Sequence, residues 1–248
     1  MRPAIVRLAL TFALLAGAPA IAAGQEFRID TELFIGKQKE PRVETLTLFS
    51  GGMIYDFLLS RPEEISLFDP VRGRFTLLDP ARKLRCGLST QDVLNYCLAL
   101  ETHAAESKDP LFQFAASPQF TPQVEEFAEN GQQRTRLVMA GKPLEYAAVA
   151  YHPEQPEAVS AFRSFTDWYA RLNAMRPGGL PPGARLELNR ALAERGLVPL
   201  EITCTLAAPN VLASKTSLRS RHLVTWTLSG EDRKRIERAG NYLVEFQA

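Results

Sequence analysis

Asp56 is the first residue of this chain that invites a chemical reading. It stands in Met53-Ile54-Tyr55-Asp56-Phe57-Leu58-Leu59, a run that is otherwise apolar. Burial there would raise its pKa unless a cation pairs with it. That setting suits a general acid and also a structural ion pair, and the ion pair is favoured. His222 closes Arg219-Ser220-Arg221-His222, a short basic patch. The patch suits an anion or a phospholipid headgroup, although a solvated strand end outweighs that reading. His103 and His152 stand apart from each other and from every cysteine. There is no HExxH pair and no Cys/His spacing for a metal, so all three histidines are expected at independent surface or edge positions. Neighbours on a strand point to opposite faces, so Glu63-Glu64 and Glu125-Glu126 cannot act locally as paired catalytic carboxylates.

Other nucleophile and phosphate signals are missing. The chain has no Gly-x-Ser-x-Gly elbow and no phosphate-cradling glycine loop. Arg82-Lys83-Arg85 and Arg233-Lys234-Arg235-Arg238 are basic clusters, but Glu231, Asp232 and Glu237 interleave the second. It reads as an ion-paired helix face. Tyr55, Phe57, Trp168 and Trp226 could line a ligand cavity, and as core residues they need no further role. No catalytic residue, metal or cofactor is expected.

Three cysteines cannot all pair internally. Cys86 precedes a helix and Cys97 lies about two turns into it, so a bridge between them is geometrically open. The alternative is that Cys97 and Cys204 are small core hydrophobes.

The elements that must position these residues follow from periodicity. Phe27 to Ile35 alternates apolar and polar, as a half-buried strand does. Val43 to Phe49 and Met53 to Leu59 flank Gly51-Gly52, a hairpin turn. Ile65 to Phe68 and Arg74 to Leu78 flank Asp69-Pro70-Val71-Arg72-Gly73. Ser89 with Asp92 opens a helix, and Leu88 with Val93 has hydrophobic-staple spacing. That helix is expected to fade near Lys108, ahead of Pro110. Val124 to Glu129 and Gln132 to Met139 flank Asn130-Gly131, a strong hairpin signal. Leu144 to Tyr151 follows as a strand. Val159, Phe162, Phe165, Tyr169 and Leu172 then have helical spacing. Met175 to Gly183 reads as a hinge or exposed loop, and Ala184 to Arg195 as a shorter helix. Val198 to Leu206 and Leu218 to Leu228 complete the strands, and Ser229 caps a last helix. The fold class is α+β, a large antiparallel meander sheet, half-barrel-like, covered by about four helices.

The N-terminus has the three parts of a secretory signal. Arg2 and Arg7 precede the apolar run Leu8 to Ala16, and Ala20-Ile21-Ala22 offers small residues to a signal peptidase. The run is too short for a span, which needs about 20 apolar residues. Residues 1–24 are therefore expected to be a leader and 25–248 a single exported domain, with a possible sub-boundary near 108–122. Cleavage is expected near Ala22-Gly24. Ala18 stands where a bacterial lipoprotein signal needs Cys, so no lipid anchor and no membrane span is expected in the mature chain. The whole chain has 248 residues and a net charge of +1. That balance lacks the footprint of a nucleic-acid binder.

The exported meander, the turns Phe68-Asp69-Pro70 and Leu78-Asp79-Pro80, and helices laid on the sheet resemble the periplasmic lipoprotein-carrier (LolA-like) fold, an open half-barrel. The resemblance covers roughly residues 27 to 151 and carries no diagnostic motif. Pro181 to Asn189 and Leu228 to Arg233 look like signatures of a narrower exported bacterial family. The resemblance implies an apolar cavity sheltering acyl chains or a lipidated partner. The expected function is a non-enzymatic envelope protein that binds a hydrophobic ligand, a lipid or a lipoprotein. Its rivals are an envelope protein–protein module with a filled core and, further off, a hydrolase built on scattered groups such as Asp56 and His222.

Overall fold

Successive hairpins write most of the topology. The computed structural model describes residues 26–60, 63–207 and 216–247, so the expected leader lies outside the described residues. Six strands form the first meander: β1 (Phe27–Ile35), β2 (Val43–Ser50), β3 (Met53–Leu58), β4 (Glu64–Asp69), β5 (Arg74–Asp79) and β6 (Leu84–Ser89). Helices α1 (Thr90–Glu106) and α2 (Pro110–Ala116) follow. Then come β7 (Thr121–Glu129), β8 (Gln132–Ala140) and β9 (Leu144–Tyr151). Helices α3 (Glu157–Ala174) and α4 (Gly183–Ala193) precede β10 (Val198–Leu206), β11 (Thr216–Thr225) and α5 (Gly230–Glu245).

Local chemistry sets the boundaries. Asn130 and Gly131 both take positive φ, 51° and 75°, as the tight β7–β8 turn requires. Ser89 and Asp92 form a reciprocal capping box at α1, and Ser229 and Asp232 form another at α5. α1 ends at Glu106, ahead of Pro110 as expected, but Pro110 then opens a second helix that was not expected. Asp109 accepts from the backbone of Leu111 and Phe112, and Pro110 sits at the first position of α2, where a missing N–H costs nothing.

Among the described residues, eleven strands join one antiparallel sheet in the order β6-β5-β4-β3-β2-β1-β11-β10-β9-β8-β7. The first meander and the later strands meet where β1 pairs with β11, Thr31 opposite His222. The sheet is open, with β6 and β7 as its edges. The C-terminal segment lies along the β6 edge, where the Arg85 N–H donates to the Gln247 carbonyl at 2.7 Å.

The register gives the sheet two continuous faces. One face carries two apolar clusters, packed under α1 to α4. Phe27, Ile29, Phe49, Phe68 and Phe75 pack there against Val93, Phe162 and Phe165. Leu137, Ala148 and Ile202 continue that face under Leu188 and Leu192 of α4. On the other face α5 covers only the first meander, where Leu46, Leu48, Phe57 and Leu67 meet Ala239 and Phe246. Among the described residues, no helix covers β7 to β11 on that second face. Among the described residues, five helices thus lie on the sheet where about four were expected.

The Met175–Gly183 connector is exposed, as expected, at Arg176, Pro177 and Gly178, but its second half is not. Pro181 and Pro182 are buried. A Cβ on Gly183 would come within 2.3 Å of the Ala116 carbonyl, and one on Gly179 within 2.6 Å of the Ala174 carbonyl. Close backbone approach locks the segment between α2, α3 and α4. Among the described residues, no helix is long and apolar enough to cross a membrane.

Candidate functional site

The structure does not bring Tyr55, Phe57, Trp168 and Trp226 together. Tyr55 and Phe57 pack on the α5 face. Trp168 and Trp226 pack on the α3 face, beside Phe68 at 6.0 Å and Phe27 at 5.5 Å between ring centroids. The sheet separates the two pairs, so no single cavity is lined by all four.

Asp56 is 4% exposed. The expected ion pair is not formed. The Thr47 hydroxyl donates to its Oδ1 at 2.6 Å, and the Tyr169 hydroxyl of α3 is its second partner. Burial pushes the carboxyl up, against the hydrogen bonds and the more distant Arg176. Arg176 is itself held by Glu64 at 2.9 Å. Burial and the same carboxyl raise the Tyr169 phenol well above its ordinary value. Asp56 and its neighbours Thr47 and Ser66 form a row across β2, β3 and β4. The row is sealed under α3.

His222 is half-buried within the sheet, which corrects the expectation of a solvated strand end. β11 is an interior strand. His222 Nδ1 lies 3.0 Å from Thr31 Oγ1, and Nε2 lies 3.0 Å from Ser220 Oγ. Phe162 packs edge-on above it. Burial, then the Arg185 charge, pushes its pKa down to about 3. Arg185 donates to Asn189 at 2.9 Å, and Asn189 donates to Asp167 at 2.9 Å. This polar seam lies where the two apolar clusters of the helix-covered face meet. Asp56 and His222 are three strands apart, roughly 14 Å by strand spacing alone, so they do not form one catalytic site. His103 and His152 are exposed, as expected.

All three cysteines are free thiols. Cys86 is exposed on the edge strand, while Cys97 is buried beneath α3, so the possible bridge is not made. Burial raises the Cys97 thiol and that of Cys204, which hydrogen-bonds Tyr146. Among the described residues, no group of His, Cys, Asp and Glu is arranged to hold a metal.

The uncovered face of β7 to β11 carries a different chemistry. Arg219 and Arg221 stack over Phe34 at 4.7 and 5.5 Å from its ring centroid. Arg134 lies over Tyr151 at 5.7 Å and Arg136 over Phe127 at 5.1 Å. Glu125 pairs with Arg136 at 3.1 Å, and Glu201 accepts from Arg221 at 3.4 Å. At one end a groove of about 460 Å³ is lined by Lys37, Lys39, Thr203, Ser217, Arg219 and Arg221. Next to it, sharing Arg221, is a hollow with Asp30, Glu32, Glu129 and Glu201. Strand alternation puts Arg219 and Arg221 on one face. Phe34, which alternation alone does not single out, breaks the polar side of β1 set by Arg28, Asp30 and Glu32. That lone aromatic among charges was the available signal.

No family model matches the chain, and no curated protein matches it. Two solved structures of PNGF-II, in the C2 and P21 space groups, are similar over 85% of this chain at 9% identity, with TM-scores of 0.34 and 0.33. The chain spans 29% and 30% of those two chains. A likeness this slight bears on neither the fold nor the activity.

Proposed function

We propose that this is an exported, non-enzymatic binding protein of the cell envelope that engages a partner protein through the uncovered face of β7 to β11. One observation carries the reading: arginines stacked on aromatics occupy a sheet face that none of the described helices covers. Arginine and aromatic residues are the side chains that most often anchor protein interfaces. The rival half-barrel carrier needs a hollow for acyl chains. Its candidate aromatics fall in two clusters separated by the sheet, each packed against the protein's own helices.

A photo-crosslinking residue at Val149 or Leu223 on the uncovered face tests this in envelope extracts. One protein species should be captured there, and not from Leu98, which is 59% exposed on α1. Arg134→Glu should abolish that capture. Equal capture from all three positions would overturn the reading. Saturable uptake of a lipophilic dye would return the carrier to first place.

A further inference from the structure

The basic groove at the end of the uncovered face names the chemistry of the partner. Lys37 and Lys39 lie on the β1–β2 turn, where Gly36 takes a φ of 60° and its N–H donates to the Ser217 carbonyl at 2.8 Å. That bond fastens the turn against β11 and brings both lysines beside Arg219 and Arg221. Neither lysine forms an ion pair among the described residues, and the two arginines share one carboxylate, Glu201, at 3.9 and 3.4 Å. The groove lining itself carries four cations and no acid; Glu201 and, opposite Arg221 across the β1–β11 pair, Glu32 lie on its margin, in a chain whose overall net charge is only +1. Phe34, 3% exposed, holds both guanidinium groups in place. A donor fork already positioned loses less side-chain freedom when it closes on a carboxylate. The Thr203 and Ser217 hydroxyls add neutral donors.

We infer that this groove receives an acidic segment of the partner protein, its carboxylates meeting Lys37, Lys39, Arg219 and Arg221. The inference rests on the proposed binding face and specifies what that face recognises. The groove is an open trough, so a polypeptide can lie along it. The acidic hollow next to it rejects a uniformly negative surface, because Asp30, Glu32 and Glu129 would repel it. A short acidic stretch ending in neutral or basic residues fits both.

The test is fluorescence anisotropy of a labelled peptide, four glutamates followed by two lysines, titrated with the full chain. Binding should weaken steeply as salt rises from about 50 to 300 mM. Lys37→Gln/Lys39→Gln changes two exposed turn residues and should weaken binding about tenfold. Arg219→Gln/Arg221→Gln should weaken it further, and Lys234→Gln on α5 should not. Absence of peptide binding, or binding indifferent to Lys37→Gln/Lys39→Gln, overturns the inference. So does stronger binding to phosphatidylglycerol vesicles than to the peptide, or displacement of the peptide by millimolar inorganic phosphate. If crosslinking from Val149 and Leu223 succeeds while the peptide fails, the acidic-segment inference falls alone. If the peptide binds while crosslinking fails, the interface reading falls and the groove stands as an anion site.

Discussion

His222 Nδ1 lies 3.0 Å from Thr31 Oγ1 across the strand pair that joins the first meander to the rest of the sheet. Both ring nitrogens face hydroxyls that can accept or donate, so burial and the Arg185 charge, not the contact, favour the uncharged imidazole. The folded pKa is lowered from 6.5 to about 3, chiefly by burial. A lowered pKa gives stability that is present above the unfolded value and lost as pH falls. The window therefore runs from about 6.5 down to about 3. His222→Gln keeps hydrogen-bonding capacity and removes the titration. It should cost about 1–2 kcal/mol near neutral pH and flatten the acid limb of the melting-temperature profile. An unchanged acid limb would show that the seam does not sense this proton.

Asp56 runs the other way. Its carboxyl is pushed up by burial, against Thr47, Tyr169 and Arg176. A raised pKa gives stability that is full below the ordinary carboxylate range and lost as pH climbs through the folded value. Asp56→Asn keeps an acceptor for the Thr47 hydroxyl and a donor besides, and it cannot ionise. Relative to the parent, it should gain about 1–3 kcal/mol between about pH 4 and pH 8. Urea unfolding at both pH values measures the difference, and an equal offset at both would sink the argument.

Elements whose partners are near in sequence were legible. β1 and β9 have the bounds that alternation gave, the Ser89–Asp92 capping box formed where it was expected, and Ser229 caps α5 as expected, with Asp232 completing a second box. The surroundings of the singled-out residues were not legible, because their partners come from far along the chain. Thr31 and His222 are 191 positions apart. Asp56 meets Tyr169 only because α3 folds back over β3. Local pattern fixes which face a side chain takes, but not which element will cover it. That is why an acid expected to need a cation instead found two hydroxyls. Phe34 fell outside the pattern for the same reason, since its covering arginines belong to β11.

Two glycines at the first position of a helix should respond oppositely to alanine. Gly183 opens α4 with the Ala116 and Ala115 carbonyls 2.3 and 2.9 Å from where a Cβ would stand. Backbone atoms there cannot swing aside. Gly183→Ala should destabilise by about 1–3 kcal/mol and raise proteolytic cutting within the 175–183 connector. Gly230 opens α5 with nothing within 4 Å of the same position. Gly230→Ala should be neutral or stabilise by up to about 1 kcal/mol by restricting the unfolded chain. Chemical denaturation of both variants checks the contrast, and equal effects would mean that the connector yields.

One of the contacts that attach α5 joins a half-buried arginine to a buried aspartate. Arg28 Nη1 reaches Asp232 Oδ1 at 2.9 Å, and the aspartate side chain is 1% exposed. Burial alone would raise the Asp232 pKa, but Ser229 and then Arg28 outweigh it and hold the carboxyl below its ordinary value. Arg28→Met removes the cation and leaves a charged carboxylate enclosed beside the helix start. That should cost about 3–5 kcal/mol. Asp232→Asn keeps much of the cap and leaves Arg28 its second partner, Asp30, so it should cost less, about 1–2 kcal/mol. The double variant should be more stable than Arg28→Met alone, because the stranded charge is gone. Denaturation of the three variants closes a double-mutant cycle, and strict additivity would mean that the pair does not anchor α5.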